Sequence, residues 1–259
     1  MIFLGPGGTS GLGYESALQS YKKDGFSAME VEFTYGVRMG VSEAKSIGAL
    51  ARKLGIRLSV HAPYYINLAS LDKTKVEASR KRILDSCERG NFLGADYIVF
   101  HAGFYQGREP KDVYYLIRQQ ILEMQQIINK KGWRVILAPE VTGKPTQFGD
   151  IDELLALSNE TGCSFTVDFS HWIAREQGRI SYAEMFKKLK FARHIHGHFS
   201  GIDYSAKGER KHVLTPISEI RKLLNAAVRS KKSLTIINES PDPIGDSRKT
   251  VQVLSQIYE

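Results

Sequence analysis

Short apolar runs alternate with longer amphipathic stretches along the whole chain. The longer stretches, such as 74–93 and 111–130, carry apolar residues at helical spacing, whereas the short runs are rich in β-branched and aromatic residues. No linker, repeat or low-complexity segment interrupts the alternation. The predicted strands, in order, are Ile2–Leu4, Ala28–Phe33, Ile56–Val60, Tyr97–Phe100, Arg134–Ala138, Ser164–Val167, His194–Phe199 and Ser233–Ile237.

This alternation of strands and helices predicts an α/β fold with a parallel sheet. Eight strand–helix units in 259 residues are the expected content of a (β/α)8 TIM barrel. A doubly wound open sheet is the alternative, but it usually has fewer strands. We therefore expect a single barrel domain over residues 1–259, with its active site at the carboxyl ends of the strands.

Most of the predicted strands end at or near a histidine, aspartate or glutamate. In a barrel, the carboxyl ends of all strands meet on one face. The side chains collected there would be His61, His101, Glu140, Asp168, His171, His198 and Glu239. Taken alone, Asp168 could simply cap a helix and His171 could pack in the core. The recurrence at strand after strand favours a shared site.

This set of side chains predicts a metal centre. Carboxylates crowded together in a buried site repel each other, and divalent cations relieve that repulsion. A mixture of imidazole and carboxylate suits Zn²⁺, Mn²⁺ or Fe²⁺ better than Ca²⁺ or Mg²⁺. The donors are too many for one tetrahedral ion, so we expect two or three ions with Glu140 bridging. Metal ions a few Å apart suit phosphoester hydrolysis.

Charge and cysteine content add weaker expectations. The formal net charge is +8, from 36 Lys and Arg against 28 Asp and Glu, which modestly favours a polyanionic partner such as nucleic acid. Cys87 and Cys163 are the only cysteines, too few for a disulfide framework, so we expect a reducing, cytoplasmic location. No apolar run approaches the roughly 20 residues of a membrane span.

Six segments resemble motifs of endonuclease IV, a family of (β/α)8 apurinic/apyrimidinic endonucleases. They are SVHAPYYINL at 59–68, FHAG at 100–103, PEVTG at 139–143, VDFSH at 167–171, HFSG at 198–201 and NESP at 238–241. The matches follow the order of the family and span nearly the whole chain. The resemblance implies a zinc-dependent enzyme, with Mn²⁺ possible, that cuts duplex DNA on the 5′ side of abasic sites during base excision repair.

The resemblance also implies three zinc sites. The first would use His61, His101 and Glu140. The second would use Glu140, Asp168, His198 and Glu239. The third would use His171 with a D-x-H pair after strand seven, in which His212 matches the histidine. The chain departs from the family here, because Arg210 occupies the aspartate position. Either the adjacent Glu209 reaches into the third site, or the third metal is missing or weakly bound. The first loop departs too, with Pro6 where the family usually has a histidine.

The resemblance further implies residues for catalysis and DNA contact. We expect Glu140 and Glu239 to be the catalytic residues. Tyr64, Tyr65 and Arg38 correspond to side chains that enter the DNA when the damaged nucleotide is flipped out, because aromatic rings replace lost base stacking. The alternative is that the tyrosines pack a loop and the arginine is solvated. The expected partner is double-stranded DNA with abasic sites, bound by a monomer without a protein partner.

Two other functions fit part of the pattern. A sugar isomerase or epimerase of the xylose-isomerase type needs one metal, held by a quartet such as Glu140, Asp168, His198 and Glu239, with two glutamates as acid and base. It has no evident need for the additional histidines at 61, 101 and 171. A non-catalytic binder of damaged DNA is the third possibility, suggested by Arg210.

Four polar residues within predicted strands are not among the expected metal ligands: His194, His196, Glu30 and Glu32. His194, His196 and His198 lie on one face of strand seven, because side chains alternate along a strand. Only His198, nearest the carboxyl end, is expected to be a ligand, with the other two deeper in the barrel. Glu30 and Glu32 alternate in strand two, and the sequence assigns neither of them a role in metal binding.

Overall fold

Eight parallel strands close into a barrel in the computed structural model, which describes residues 1–259. The strands are β1 (Ile2–Pro6), β2 (Ala28–Glu32), β3 (Arg57–His61), β4 (Tyr97–Phe100), β5 (Ile136–Pro139), β6 (Thr166–Asp168), β7 (His194–Phe199), β8 (Gly201–Ser205), β9 (Gly208–Val213) and β10 (Ser233–Asn238). All except β8 and β9 belong to the barrel, which confirms the predicted (β/α)8 fold.

Helices surround the strands and connect each one to the next. They are α1 (Tyr14–Lys23), α2 (Val41–Leu54), α3 (Lys73–Leu93), α4 (Pro110–Lys131), α5 (Ile151–Thr161), α6 (Phe169–Arg175), α7 (Tyr182–Lys188), α8 (Ile217–Ser230) and α9 (Pro243–Tyr258). Their apolar faces pack on the strands, as with Leu18 and Tyr21 of α1 and Ile117 and Ile121 of α4, all fully buried. None of the helices combines the length and apolar character needed to cross a membrane.

The barrel consists of two four-stranded halves that meet at two seams. One half has the order β1-β10-β7-β6 and the other the order β2-β3-β4-β5. A bridge between Gly7 and Glu30 joins β1 to β2, and a bridge between Glu140 and Thr166 joins β5 to β6. At the β1–β2 seam only glycine fits at position 5, because a Cβ there would lie 1.7 Å from the carbonyl oxygen of Ala28. Both bridges lie toward the carboxyl end of the barrel.

The structure contains three elements that the sequence did not predict, β8, β9 and α6. Strands β8 and β9 form an antiparallel hairpin between β7 and α8. Helix α6 begins directly after Asp168, whose carboxylate caps it by accepting the backbone N–H groups of Ser170 and His171, both at 2.7 Å. This cap holds one oxygen of Asp168 in a fixed position and directs the D-x-x-H segment into the mouth of the barrel.

Candidate metal centre

A cavity of about 410 Å³ opens at the carboxyl ends of the barrel strands. It is lined mostly by polar side chains from the connecting loops and strand ends. Its lining includes Glu32, His61, Tyr64, His101, His171, Glu209, His212 and Glu239. A larger groove of about 1100 Å³ lies outside the barrel between α7 and α8, and it contains none of the predicted ligands. The polar cavity is therefore the candidate functional site.

The first group of potential ligands is centred on Glu140. Its Oε2 lies 3.3 Å from Nε2 of His61 and 3.1 Å from Nε2 of His101. The donor atoms of the three residues all lie within 4.8 Å of one another. His61 ends β3, and His101 and Glu140 directly follow β4 and β5. Three consecutive strands thus bring together the residues predicted for the first metal.

The second group shares Glu140 with the first. The donor atoms of Glu140, Asp168, His198 and Glu239 lie within 4.8 Å of one another. Nδ1 of His198 is 3.1 Å from Oε1 of both Glu140 and Glu239. Asp168 uses Oδ1 to cap α6, while its Oδ2 is buried, accepts no hydrogen bond and lies 3.3 Å from Nδ1 of His171. A buried carboxylate oxygen that accepts no hydrogen bond and faces other ligands is the arrangement a cation would satisfy.

The third group lies between α6 and the hairpin. Nε2 of His171 and Nε2 of His212 face each other at 3.0 Å, and Oε2 of Glu209 is 3.4 Å from the same His171 atom. Asp168 is close enough to form a group of donors with both histidines. Arg210, at the position of the family aspartate, is exposed to solvent. Glu209 is therefore the hairpin carboxylate that reaches the site.

A β-bulge explains this exchange of positions. Asp203 is paired with Lys211 and Tyr204 with Glu209, so Arg210 has no partner across the hairpin. In a regular strand, residues two positions apart share a face, which would place Arg210 beside His212. An extra residue reverses the alternation. The bulge at Arg210 therefore places Glu209, rather than Arg210, on the same side as His212.

Each candidate ligand histidine except His101 is held through one ring nitrogen and directs the other into the site. Nδ1 of His61, His171 and His212 contacts the backbone carbonyl of Ala62, Val141 and Glu239 at 2.8, 3.1 and 3.0 Å, respectively. For His198 the roles are reversed, since Nε2 contacts Glu30 and Nδ1 faces the site. Fixing one nitrogen in this way orients the ring and leaves the other nitrogen available as a ligand.

Two glutamates of β2 lie at the site although the sequence assigned them no role. Glu30 is fully buried and contacts Ser59, His196 and His198. Glu32 lines the cavity, and its carboxylate forms a group with those of Glu30 and Glu239. The sequence did contain a signal for their position. Side chains at alternate positions of a strand share a face, and because helices cover the outer face of the barrel, two acidic side chains on one face are expected to point inward.

The crowding of buried carboxylates and histidines shifts the pKa values of several of these side chains. Burial raises the pKa of Glu239 to about 8, with a further contribution from the charge of Glu140. Burial and the nearby Glu30 raise the pKa of Glu32 to about 7. Burial opposes a charge on His61, but its contacts with Glu140 and Glu32 prevail and raise its pKa to about 10. Without a metal, bound protons thus neutralise part of the negative charge.

Aromatic side chains stand at the rim of the cavity. Tyr64 and Tyr65 are 59% and 67% exposed, which excludes the alternative that both are packed inside a loop. The ring of Tyr64 lies between those of His61, at 6.3 Å, and Tyr35, at 6.5 Å. Arg38 is exposed on the same side, beside a shallow depression that also contains Tyr35 and Glu32. Tyr35 is a rim residue that the sequence-based prediction missed.

Comparison with known proteins finds relatives of two kinds. An uncharacterized protein of Methanocaldococcus jannaschii is 37% identical over 239 residues, covering 87% of this chain and 86% of that one. A probable endonuclease 4 of Mycoplasmoides gallisepticum is 30% identical over 168 residues, covering 61% of this chain and 55% of that one. The match to this second relative spans little more than half of its length.

Solved structures and a family profile agree on the fold. Endonuclease IV from Thermus thermophilus superposes with a TM-score of 0.70 at 18% identity, covering 98% of this chain and 97% of that one. The 3-keto-D-glucoside 4-epimerase of E. coli superposes with a TM-score of 0.70 at 12% identity, covering 99% and 100%. The family described as xylose isomerase-like TIM barrel matches residues 18–252.

The stability of the metal-free protein should fall as the pH rises from about 6.5 to about 10. The ordinary pKa of a histidine is 6.5, whereas that of folded His61 is about 10, so across this interval the folded protein holds a proton that the unfolded chain has released. The raised pKa of Glu239, about 8, acts in the same direction. Urea unfolding at a series of pH values, with a chelator present, measures the dependence.

The matched control for this measurement is the His61→Gln variant. It should show a shallower fall of the unfolding free energy over the same pH interval, because one of the retained protons is gone. A metal-free stability that stays level or increases through the interval would contradict the proposed charge balance.

Proposed function

The chain belongs to the xylose isomerase-like TIM barrel family, and on that premise we propose that it is a metal-dependent endonuclease of the endonuclease IV type, cutting duplex DNA on the 5′ side of abasic sites. The observation that carries the proposal is the shared ligand Glu140, which has one oxygen toward His61 and His101 and the other toward His198. A carboxylate shared by two ligand groups is suited to two neighbouring ions, the arrangement that favours phosphoester hydrolysis.

The residues present fit Zn²⁺ or Mn²⁺. Imidazole nitrogen and carboxylate oxygen are the donors that these ions accept, and Oδ2 of Asp168, which accepts no hydrogen bond, is available to one of them. The proposed ligands are His61, His101, Glu140, Asp168, His171, His198, His212 and Glu239, with Glu209 added to the third site. When bound, the ions would lower the pKa of water and stabilise the attacking and leaving oxygens.

Two glutamates have separate proposed roles in the reaction. Glu140 is fully buried and holds the two inner groups in one frame. Glu239 lines the cavity; its Oε1 contacts His198, and its Oε2, 4.0 Å from Nδ1 of His212, is the oxygen proposed to take a proton from the reacting water. Glu140 and Glu239 are thus the proposed catalytic residues, placed at the carboxyl ends of β5 and β10 on the proposed active face of the barrel.

The rim supplies contacts for DNA. Tyr64 and Tyr65 present exposed rings beside the ligands, and Arg38 presents an unpaired exposed guanidinium on the same side. Exposed rings can stack on unpaired bases, and a guanidinium can contact phosphate or a vacated base position. The net charge of +8 favours a polyanionic substrate as well.

A single-metal sugar isomerase or epimerase is the second candidate. The quartet of Glu140, Asp168, His198 and Glu239 is complete without the other histidines. The cavity, about 410 Å³, has the volume of a small-molecule site. Exposed aromatic rings at the rim and the donor group at His61 and His101 are features that this reaction does not need. A non-catalytic DNA binder is less favoured, because Glu209 supplies the carboxylate that Arg210 does not.

The decisive experiment is incision of a duplex that carries one abasic-site analogue. The purified protein, with its metals counted, should cut the strand on the 5′ side of the lesion in the presence of Zn²⁺ or Mn²⁺. His101→Ala and Glu140→Ala should lower the rate by about 100-fold or more, since each removes a ligand of the shared centre. His194→Gln, at the opposite end of the barrel, should cut at the wild-type rate.

The other outcomes separate the alternatives. Absence of incision with either metal, at low and moderate salt, would overturn the proposal. Tight binding of the lesion without cutting would favour the DNA binder. One bound metal, no affinity for DNA and interconversion of ketoses would favour the isomerase.

Tyr64→Ala should weaken binding of the abasic duplex by about 1–3 kcal/mol, because a base that stacks on the ring would lose its platform. Arg38→Ala should weaken binding and also reduce the dependence of affinity on salt, since a phosphate contact is removed. Fluorescence anisotropy at several salt concentrations measures both. Tyr258→Ala, which removes an exposed tyrosine at the end of α9, is the matched control. Equal losses in Tyr64→Ala and Tyr258→Ala would argue against a contact at the rim.

Glu209→Gln should lower the number of bound metals by one, because it removes the carboxylate of the third site and leaves the two inner groups intact. Arg210→Ala should keep the wild-type count, since this side chain points to solvent. Mass spectrometry of the metals in the dialysed proteins gives both counts. A lower count in Arg210→Ala, or an unchanged count in Glu209→Gln, would show that the bulge does not supply the ligand.

A further inference from the structure

We propose that Glu30 is the positioning residue that makes His198 a metal ligand through its Nδ1 atom. Glu30 lies inside the barrel, behind the ligand groups, and is 0% exposed. Its Oε1 is 2.8 Å from Nε2 of His198, and its Oε2 is 3.0 Å from Nε2 of His196. The hydroxyl of Ser59 donates to the same Oε2 at 2.6 Å.

This contact crosses the interior of the barrel. Glu30 and Ser59 are paired on the adjacent strands β2 and β3. His196 and His198 belong to β7, which is separated from β2 by β1 and β10. Side chains from non-adjacent strands meet only because all of them point to the barrel axis. The carboxylate therefore ties the ring of His198 to a strand on the far side of the barrel.

The geometry leaves each nitrogen of His198 one role. Nε2 faces Glu30, and neither Nε2 nor Oε1 of Glu30 has another polar partner. Nε2 and Oε1 form a close ionic contact rather than a well-aligned hydrogen bond. Nδ1 faces the ligand carboxylates, at 3.1 Å from Oε1 of both Glu140 and Glu239, and hydrogen-bonds to Glu140 in the metal-free protein. A carboxylate only accepts hydrogen bonds, so when an ion takes the place of the hydrogen on Nδ1, Nε2 keeps its own toward Glu30.

His198 differs in this respect from the other oriented histidines of the site. Nδ1 of His61, His171 and His212 contacts a backbone carbonyl oxygen, and that of His171 also lies 3.3 Å from Asp168 and 3.5 Å from Glu140. Only in His198 is a carboxylate the sole polar partner of the nitrogen that points away from the cavity. A carboxylate partner makes an imidazole a more basic and hence stronger ligand. Glu30 therefore strengthens the one histidine that the second group contains, in addition to fixing its orientation.

A role confined to folding is the competing explanation, because removal of any buried carboxylate with three polar partners disturbs its neighbours. The two explanations differ in what they predict for metal affinity. The proposal depends on metal binding by Glu140, Asp168, His198 and Glu239, and does not depend on whether the substrate is DNA or a sugar. Failure to cut DNA would leave it intact, so the two tests are independent.

The test is the affinity of Glu30→Gln for Zn²⁺, measured by competition with a chromogenic chelator on the folded, metal-free protein. Glutamine keeps the shape but removes the charge, and we expect the affinity of the second group to fall by about 10- to 100-fold. The absorption spectrum of the Co²⁺-substituted protein should change as well, because the ligand field at His198 changes.

Two controls separate positioning from folding. Ser59→Ala removes another contact of the same carboxylate but leaves His198 in place, and it should bind Zn²⁺ with wild-type affinity. Asp246→Asn alters a fully buried carboxylate on α9, which accepts the backbone N–H of Thr215 at 2.6 Å. It should lower the unfolding free energy without changing the affinity or the cobalt spectrum. Equal losses of affinity in Glu30→Gln and Asp246→Asn would overturn the proposal, as would unchanged affinity in folded Glu30→Gln.

A measurement on the unmodified chain completes the test, in case Glu30→Gln does not fold. Cadmium NMR of the Cd²⁺-loaded protein with nitrogen-labelled histidine reports which ring nitrogen of His198 is coupled to the metal. Coupling through Nδ1 is expected. Coupling through Nε2, or no coupling to His198, would overturn the assignment.

Discussion

Buried negative charge is the constraint on which the architecture of the barrel mouth depends. An isolated carboxylate in an apolar interior is prohibitively costly, so each one needs donors or cations around it. Glu30 is surrounded by Ser59, His196 and His198, and Glu140 by histidines from three sides. The histidines are therefore as necessary to the fold of the metal-free protein as they are to a metal site.

Much of the fold could be predicted from the chain because strands of a parallel barrel are covered on both faces and appear as short apolar runs. The groups around Glu140 could be predicted for the same reason, since each ligand ends a recognisable strand. The sequence offered Glu209 only as one of two possibilities for the third site, because the residue that faces the site depends on a bulge in a hairpin whose pairing leaves little trace in the sequence. Glu30 could not be predicted, because its contacts depend on strands that are far apart in the chain and meet across the barrel axis.

The division between two possible chemistries also has a physical origin. One quartet of candidate ligands suits proton transfer within a sugar by a single-metal enzyme, and the same four residues are part of the proposed multinuclear centre for phosphate chemistry. What differs is the surroundings: additional histidines at two strand ends, and aromatic rings that are exposed although burial would have been favourable. These exposed rings beside the cavity are the observation on which the proposed contact with DNA rests.

The second group of candidate ligands spans the seam between the two halves of the barrel, so an ion bound there would affect how the seam opens. Glu140 belongs to one four-stranded half, while Asp168, His198 and Glu239 belong to the other. An ion held by all four would cross-link the halves beside the single bridge between Glu140 and Thr166. Opening of the β5–β6 seam would then require metal release, so the exchange of amide hydrogens along that seam would be governed by metal affinity rather than by backbone pairing alone.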